Sequence, residues 1–367
     1  MEKLRISTIM DALIQWAPLE LQEDYDNCGL QVGDPSNEVD SVMVCLDCTE
    51  AVVEEAAAMG CGLIISHHPV IFRGLKALTG RDHVERTVLA AIRRGIAILS
   101  LHTDLDNVVD GVNGEIARLL GLKSVGVLDP KPGQLRKLVV FVPHEKAEAV
   151  RSALFAAGAG HIGGYDECSF NLQGTGTFRA GAGTRPHVGR QGERHQEPET
   201  RVEVILVAHR EAAILAAMRR AHPYEEVAYD LYPLANEHPG IGSGLLGEWE
   251  KPLTEMDFLA RLKEVFQPGI FRHTRLLGRP IRRVALCGGS GAFLLGRALG
   301  AQADAFITGD VKYHQFFDAD GRLLLADIGH YASERSTMHL IQRRLGELFP
   351  TFAVRLTETV TDPIHHY

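Results

Sequence analysis

The sequence has no surplus of positive charge. Its 38 lysines and arginines are outnumbered by 47 aspartates and glutamates, a formal net charge of −9. Nucleic acid is therefore not expected as the main partner, because no basic excess is available to displace backbone counterions. Long hydrophobic runs are also missing. None reaches the roughly 18 apolar residues that a membrane span needs, so no membrane partner is expected. The opening stretch MEKLRISTIMDALIQWAPLE places acidic residues on an amphipathic helical pattern. A signal peptide would instead carry a basic region followed by an apolar block. A cysteine framework is absent too. Cys28, Cys45, Cys48, Cys61, Cys168 and Cys287 are scattered without a repeated spacing, mostly in apolar, strand-like surroundings. That usage fits reduced thiols in a cytoplasmic protein. Cys45 and Cys48 form C-x-x-C, but no second pair completes a zinc site and no helix N-terminus follows as in a redox motif, so the motif reads as strand packing.

What the chain does have is length, an ordinary core composition and many histidines. Its 367 residues, 45% hydrophobic and 23% charged, suit a globular protein of about two to three domains. Helix patterns cover 6–16, 51–59, 83–94 and 111–120, and strands are expected at 42–46, 62–66 and 97–101. This strand–helix alternation implies a parallel sheet covered on both faces. It returns late in the chain, with strands at 283–287, 305–308 and 323–327 and a helix from about Ser333 to Leu348. Between them the texture changes. A strand at 137–142, a helix at 144–157, short strands around 167–172 and 174–178, a strand at 201–207, a helix at 210–221 and a strand at 227–232 give the β-α-β-β-α-β order of a ferredoxin-like fold. Residues 180–200, including His187 and His195, lack any apolar period and read as a mobile linker rather than a lid. The expected architecture is α/β: a split core of residues 1–130 and 241–367, with an inserted α+β domain at 131–240.

Three segments share one layout, an apolar strand running straight into histidine and acid. They are IIS-His67-His68, ILSL-His102-Thr103-Asp104-Leu105-Asp106, and LLLA-Asp327 leading to His330 and Glu334. In open parallel sheets the carboxyl ends of strands rim the ligand crevice, so these side chains converge. Imidazole and carboxylate are ligands for zinc, iron and manganese. Three histidines with two or three carboxylates exceed one tetrahedral ion and suit two ions about 3.5–4 Å apart. Adjacent residues of an extended strand face opposite ways, so His67 and His68 meet one site only if the chain turns there; Pro69 makes that turn natural. For His102, ligation and substrate contact compete evenly. Asp106 is the better ligand, since Asp104 serves equally as a cap. His330 and Glu334 lie on one helical face, although Ser333 as N-cap and Glu334 as its dipole partner is a compatible reading.

The motifs DNCGLQVG (26–33), SHHPVIFRG (66–74), HTDLDNV (102–108), GGSG (288–291), TGDVKYHQ (308–315) and GHYASE (329–334) resemble the Nif-three-like family. Its members are often called GTP cyclohydrolase 1 type 2 homologues. HPYEEVAYDLYPL (222–234) is similar to the inserted PII/CutA-like domain of the longer bacterial members. The resemblance implies a dinuclear centre of two divalent metal ions (Zn, Fe or Mn), with ligands at His67, His68, Asp106, His330 and Glu334. It implies Glu334 as the bridge, His68 with Asp106 on one ion, and His67 with His330 on the other. It also implies a toroidal homohexamer, a trimer of dimers. His314 and Asp310 are matched in the family near the metal cavity, and His314 and His102 are the candidates for proton transfer. Asp26 and Asn27 read as site supports or turn formers. GGSG reads as an anion-binding turn or as a tight strand-to-helix connection. His365 and His366 read as native sequence, not a purification tag. Two functions follow: a metal-dependent hydrolase of GTP cyclohydrolase type acting on a nucleotide or related small molecule, or a non-catalytic metal-binding or regulatory assembly.

Overall fold

The computed structural model describes residues 3–365, so His366 of the terminal histidine pair lies outside the described residues. The chain divides into two compact units. One joins the residues up to Pro130 with those from Pro239 onward, and the other is Lys131–His238.

The first unit holds two mixed sheets rather than one parallel sheet. In the first, Ala353–Leu356, Ser41–Cys45, Leu63–Ser66 and Ala97–Ser100 lie side by side in parallel, and Gly29–Val32 closes the edge antiparallel. In the second, Ile281–Leu286, Ala305–Thr308 and Leu324–Asp327 are parallel, flanked by antiparallel Gly242–Leu253, Lys123–Pro130 and Arg272–His273. The central strands are buried along their whole length, which is why they read as unbroken apolar runs and not as alternating ones. Helix His83–Arg94 shows how locally the boundaries are written. The Asp82 side chain accepts the N–H of Glu85 at 2.9 Å, and Gly95 ends the helix at φ +65°, a conformation glycine adopts without a Cβ clash.

Phe306, fully buried in its strand, packs with Leu294, Leu323 and Leu325 under the second sheet. Phe306→Ala is expected to lower stability by about 3–5 kcal/mol, read as an earlier urea midpoint with an unchanged transition slope.

Lys131–His238 forms a four-stranded antiparallel sheet in the order Tyr229–Pro233, Leu135–Pro143, Arg194–Val207, Phe170–Arg179. Helices Ala147–Ala156 and Glu211–Ala221 contribute Val150, Leu154, Ile214 and Met218 to its core.

Three expectations need correction. The short strands around 167–172 and 174–178 are one strand, Phe170–Arg179, which Gly174 and Gly176 do not interrupt. Residues 180–200 are not all loop, because the next strand begins at Arg194 and pairs back to Arg179. Most of that hairpin's outer stretch is exposed, so it needed no apolar period. The helix expected from Ser333 is two helices, His330–Glu334 and Thr337–Leu348. The strand Gly242–Leu253 and the helix Glu255–Phe266 had no counterpart in the sequence reading.

Candidate metal centre

The segments carrying His67 and His68, His102 and Asp106, and His330 and Glu334 each follow the carboxyl end of a parallel strand. Past Ser66 the backbone keeps its pairing for two more residues, with His67 and His68 donating their N–H groups to Cys45 O and Leu46 O at 3.1 and 2.9 Å. The chain turns there, and the two rings come to 5.0 Å between centroids. From the second sheet, Gly329 at φ +85° opens the His330–Glu334 turn, and Glu334 reaches back against both histidines.

The hydrogen bonds fix the ring states. His67 Nδ1 lies 2.7 Å from Leu101 O, a carbonyl that only accepts, so Nδ1 carries the proton and Nε2 bears the lone pair. That Nε2 is buried with no hydrogen-bond partner, and so is Asp106 Oδ1. They stand 3.9 Å apart, and Nε2 is 3.8 Å from Glu334 Oε1. These gaps are too long for hydrogen bonds. They match the roughly 3–4 Å separation of donors that share an ion at about 2.0–2.2 Å.

On the other side, His68 Nδ1 meets Asp47 Oδ1 at 2.7 Å and His330 Nδ1 meets Asp310 Oδ2 at 2.7 Å. Asp310 holds φ +56°, left-handed backbone in a non-glycine residue, which costs about 1–3 kcal/mol and is typical of functional sites. With both Nδ1 atoms engaged, His68 Nε2 and His330 Nε2 face each other at 3.2 Å, and each lies 3.0 Å from Glu334 Oε2. Three electron-rich atoms converge on one point, so a positive charge belongs there. Protons supply it when no cation does. Burial pulls His68 down, but Asp47 and Glu334 outweigh it and raise its pKa to about 10; burial likewise opposes, and Glu334 and Asp310 raise, His330 to about 9. Burial holds His67 below its usual range. It pushes Asp106 well up, assisted by the charge of Glu334. Glu334 is kept well below the carboxylate range by His330, His67 and His68 in spite of its burial.

Two groups that could hold a metal ion emerge, His67 with Asp106 and Glu334, and His68 with His330 and Glu334. The grouping departs from the partition that the family resemblance implied: Asp106 lies with His67, and His330 with His68. The reason is the turn after Ser66, which aims the His67 ring toward the Leu101–Asp106 segment and the His68 ring toward the second sheet.

His102 borders the cluster. Its ring packs edge-on against those of His67 and His68 at 5.3 and 5.4 Å, and the three imidazoles form a further candidate group. Both oxygens of Asp26 hold its Nδ1, at 2.8 and 2.9 Å, so Asp26 supports the site. Asn27 reaches away from it to Ile71 O. Asp104 lies inside the helix Thr103–Asp106, not at its N-cap His102, and accepts the N–H groups of His102 and Leu105 through Oδ1. His314 is not brought to the cluster. It stands exposed on the Tyr313–Ala319 turn beside Tyr313 and Phe317. In GGSG the N–H groups of Gly288, Gly289 and Gly291 donate to Asn113, Ser333 and Thr308. The segment reads as a tight connection in which the glycine donors are used inside the fold.

Comparison with known proteins decides the family. A profile of Duf34/NIF3 (NGG1p interacting factor 3) matches residues 4–363. The chain belongs to the DUF34/NIF3 family. A GTP cyclohydrolase 1 type 2 homolog of Halalkalibacterium halodurans is 39% identical over 361 residues, covering 98% of this chain and 96% of the relative. The Bacillus subtilis protein of the same name is 36% identical, covering 97% and 96%. The crystal structure of a Bacillus cereus protein related to NIF3 superimposes with a TM-score of 0.87 at 34% identity, covering all of both chains. It shares the mixed α/β architecture of this NIF3 protein.

One supporting residue escaped the sequence reading. Asp47 follows the strand Ser41–Cys45 directly, the same strand-end placement that singled out the other segments. Alone after a strand, it has no histidine beside it in the sequence to single it out.

Proposed function

We propose that this NIF3 protein holds two divalent ions bridged by Glu334 and is a metal-dependent hydrolase of GTP cyclohydrolase type, acting on a nucleotide or a related small molecule. The observation that carries the reading is the sharing of one carboxylate. Oε1 of Glu334 faces the His67–Asp106 group, and Oε2 faces the His68–His330 group. A pair of such ions, when bound, supplies Lewis acidity and an acidified water near neutral pH. The protein's own residues do the rest. Asp26 pins Nδ1 of His102 and leaves its Nε2 free to carry a proton at the edge of the cluster. Asp47 and Asp310 orient the two histidines that share Glu334 Oε2. Proton transfer is assigned to His102 in preference to the exposed His314.

The test is incubation of metal-replete protein with GTP, reading formate release and loss of the purine chromophore. Turnover that disappears in His102→Ala, with metal content retained, supports the assignment. No product from GTP or other nucleotides favours the non-catalytic, regulatory reading.

The remaining parts of the proposal are the setting. The toroidal homohexamer is checked by light scattering, with six times the chain mass expected and a monomer refuting it. All six cysteines are unpaired thiols, which suits the cytoplasm. Among the described residues no helix is long and apolar enough to cross a membrane. Asp47→Ala removes the acceptor that orients His68. It is expected to weaken metal binding about 10- to 100-fold, measured by competition with a chromophoric chelator.

A further inference from the structure

The sheet of Lys131–His238 buries only one of its faces under helices. Leu138, Val140, Val142, Val202 and Val204 point into that core. Strand alternation sends Phe141, Glu199 and Arg201 to the opposite face. Cross-strand register places Leu172, Gly174, Gly176 and Phe178 beside them. Against this second face lies a cavity of about 600 Å³, within the range of about 300–1,000 Å³ usual for small-ligand sites.

Glu199 is the group that needs explaining. A carboxylate is rarely buried without a full set of donors, and this residue is only 9% exposed. Its Oε1 accepts the Tyr224 hydroxyl at 3.0 Å. Its Oε2 receives no hydrogen bond among the described residues and lies over Gly176, where a Cβ would collide with it and stand 2.6 Å from Cδ. Gly174, on the same face, would send a Cβ into open space. Glycine weakens a strand and marks places where another group approaches closely; two on one face beside a half-satisfied carboxylate form a cradle. Rings build the wall. The Tyr224 centroid is 6.2 Å from Phe178 and 6.1 Å from His187.

This chemistry selects its ligand. A metal ion is disfavoured, since among the described residues no three metal-ligating side chains converge here. A bare ammonium would leave most of the cavity unfilled. A flat ring whose edge offers two N–H donors on one carbon gives a carboxylate the paired contact it accepts best. Its faces also suit an aromatic wall. We propose that this cavity binds a planar ligand with an amidine-type edge, received by Glu199 and packed against Tyr224 and Phe178. The inference does not rest on the reading of the metal centre.

Two sources share that edge, a charged amidinium and the neutral edge of a guanine-type base. Benzamidine and guanosine distinguish them in calorimetric titrations of the full chain. One of the two is expected to bind with one site per chain. Glu199→Gln, which replaces an acceptor with a donor, is expected to weaken that binding about 10- to 100-fold. Gly176→Ala, which displaces the carboxylate by its Cβ, tests the same contact if Glu199→Gln does not fold. Tyr224→Phe keeps the carboxylate and is expected to keep binding. Failure of both probes to bind the parent at millimolar concentration overturns the proposal, as does parental affinity in Glu199→Gln or, where that variant does not fold, in Gly176→Ala.

Discussion

Glu334→Gln is expected to empty both halves of the proposed two-ion centre at once, weakening each ion by more than about 100-fold, since loss of a proposed ligand exceeds loss of a mere supporting group. The substitution preserves shape and removes the negative charge against which His68 and His330 both rest at 3.0 Å. His330→Ala provides the contrast. It removes one nitrogen from one group and leaves His67, Asp106 and Glu334 in place. Elemental analysis after dialysis should therefore read close to zero ions per chain in Glu334→Gln and close to one in His330→Ala. Parental metal content in Glu334→Gln would place the ions elsewhere. Equal losses in the two variants would refute the sharing of Glu334.

Gly289→Ala is the second large effect, and it acts from outside the ligand set. Gly289 sits at φ +58°, and a Cβ there would collide with Glu334 Oε1 and lie 3.0 Å from its Cδ and 3.3 Å from His330 Cε1. The backbone conformation alone costs an L-residue about 1–2 kcal/mol. The collision has no cheap exit, because Glu334 is buried and held at 3.0 Å by both His68 and His330. The variant should lose at least about tenfold in metal affinity, and its unfolding midpoint should drop. Gly346→Ala is the control. It lies exposed in helix Thr337–Leu348 with nothing within 4 Å of the added Cβ. It should stabilise by about 0.5–1 kcal/mol and leave metal binding unchanged.

Much of this was written locally. Helices 6–16 and 83–94 begin and end where their apolar patterns place them, because that signal repeats within a few residues. The histidine pair could be singled out because two imidazoles at the end of a buried run have no ordinary packing use. The pairing of His67 with Asp106 was not legible. It depends on which way each ring swings after Ser66 and on where a second sheet stands, and neither is a property of spacing. Gly242–Leu253 was missed for a different reason. Its glycines, Trp249, Glu250 and Lys251 break the period that a half-buried strand usually displays, and its place is set by pairing on both sides. His314 carries the opposite lesson, since proximity to a motif in the sequence did not bring its side chain to the cluster.

The contact between His68 and Glu334 spans 266 positions of the chain. During synthesis the first histidines emerge long before their carboxylate exists. Residues 131–238 intervene as a unit of their own, whose whole length is synthesised before Glu334. Domains fold largely in order of synthesis, so the cluster closes last. On the proposed metal-binding reading, metal uptake then acts as a clock for folding: pulse-labelled chains should acquire metal only after the final helices dock, and a chain stopped before Glu334 should pass through the cell unmetallated.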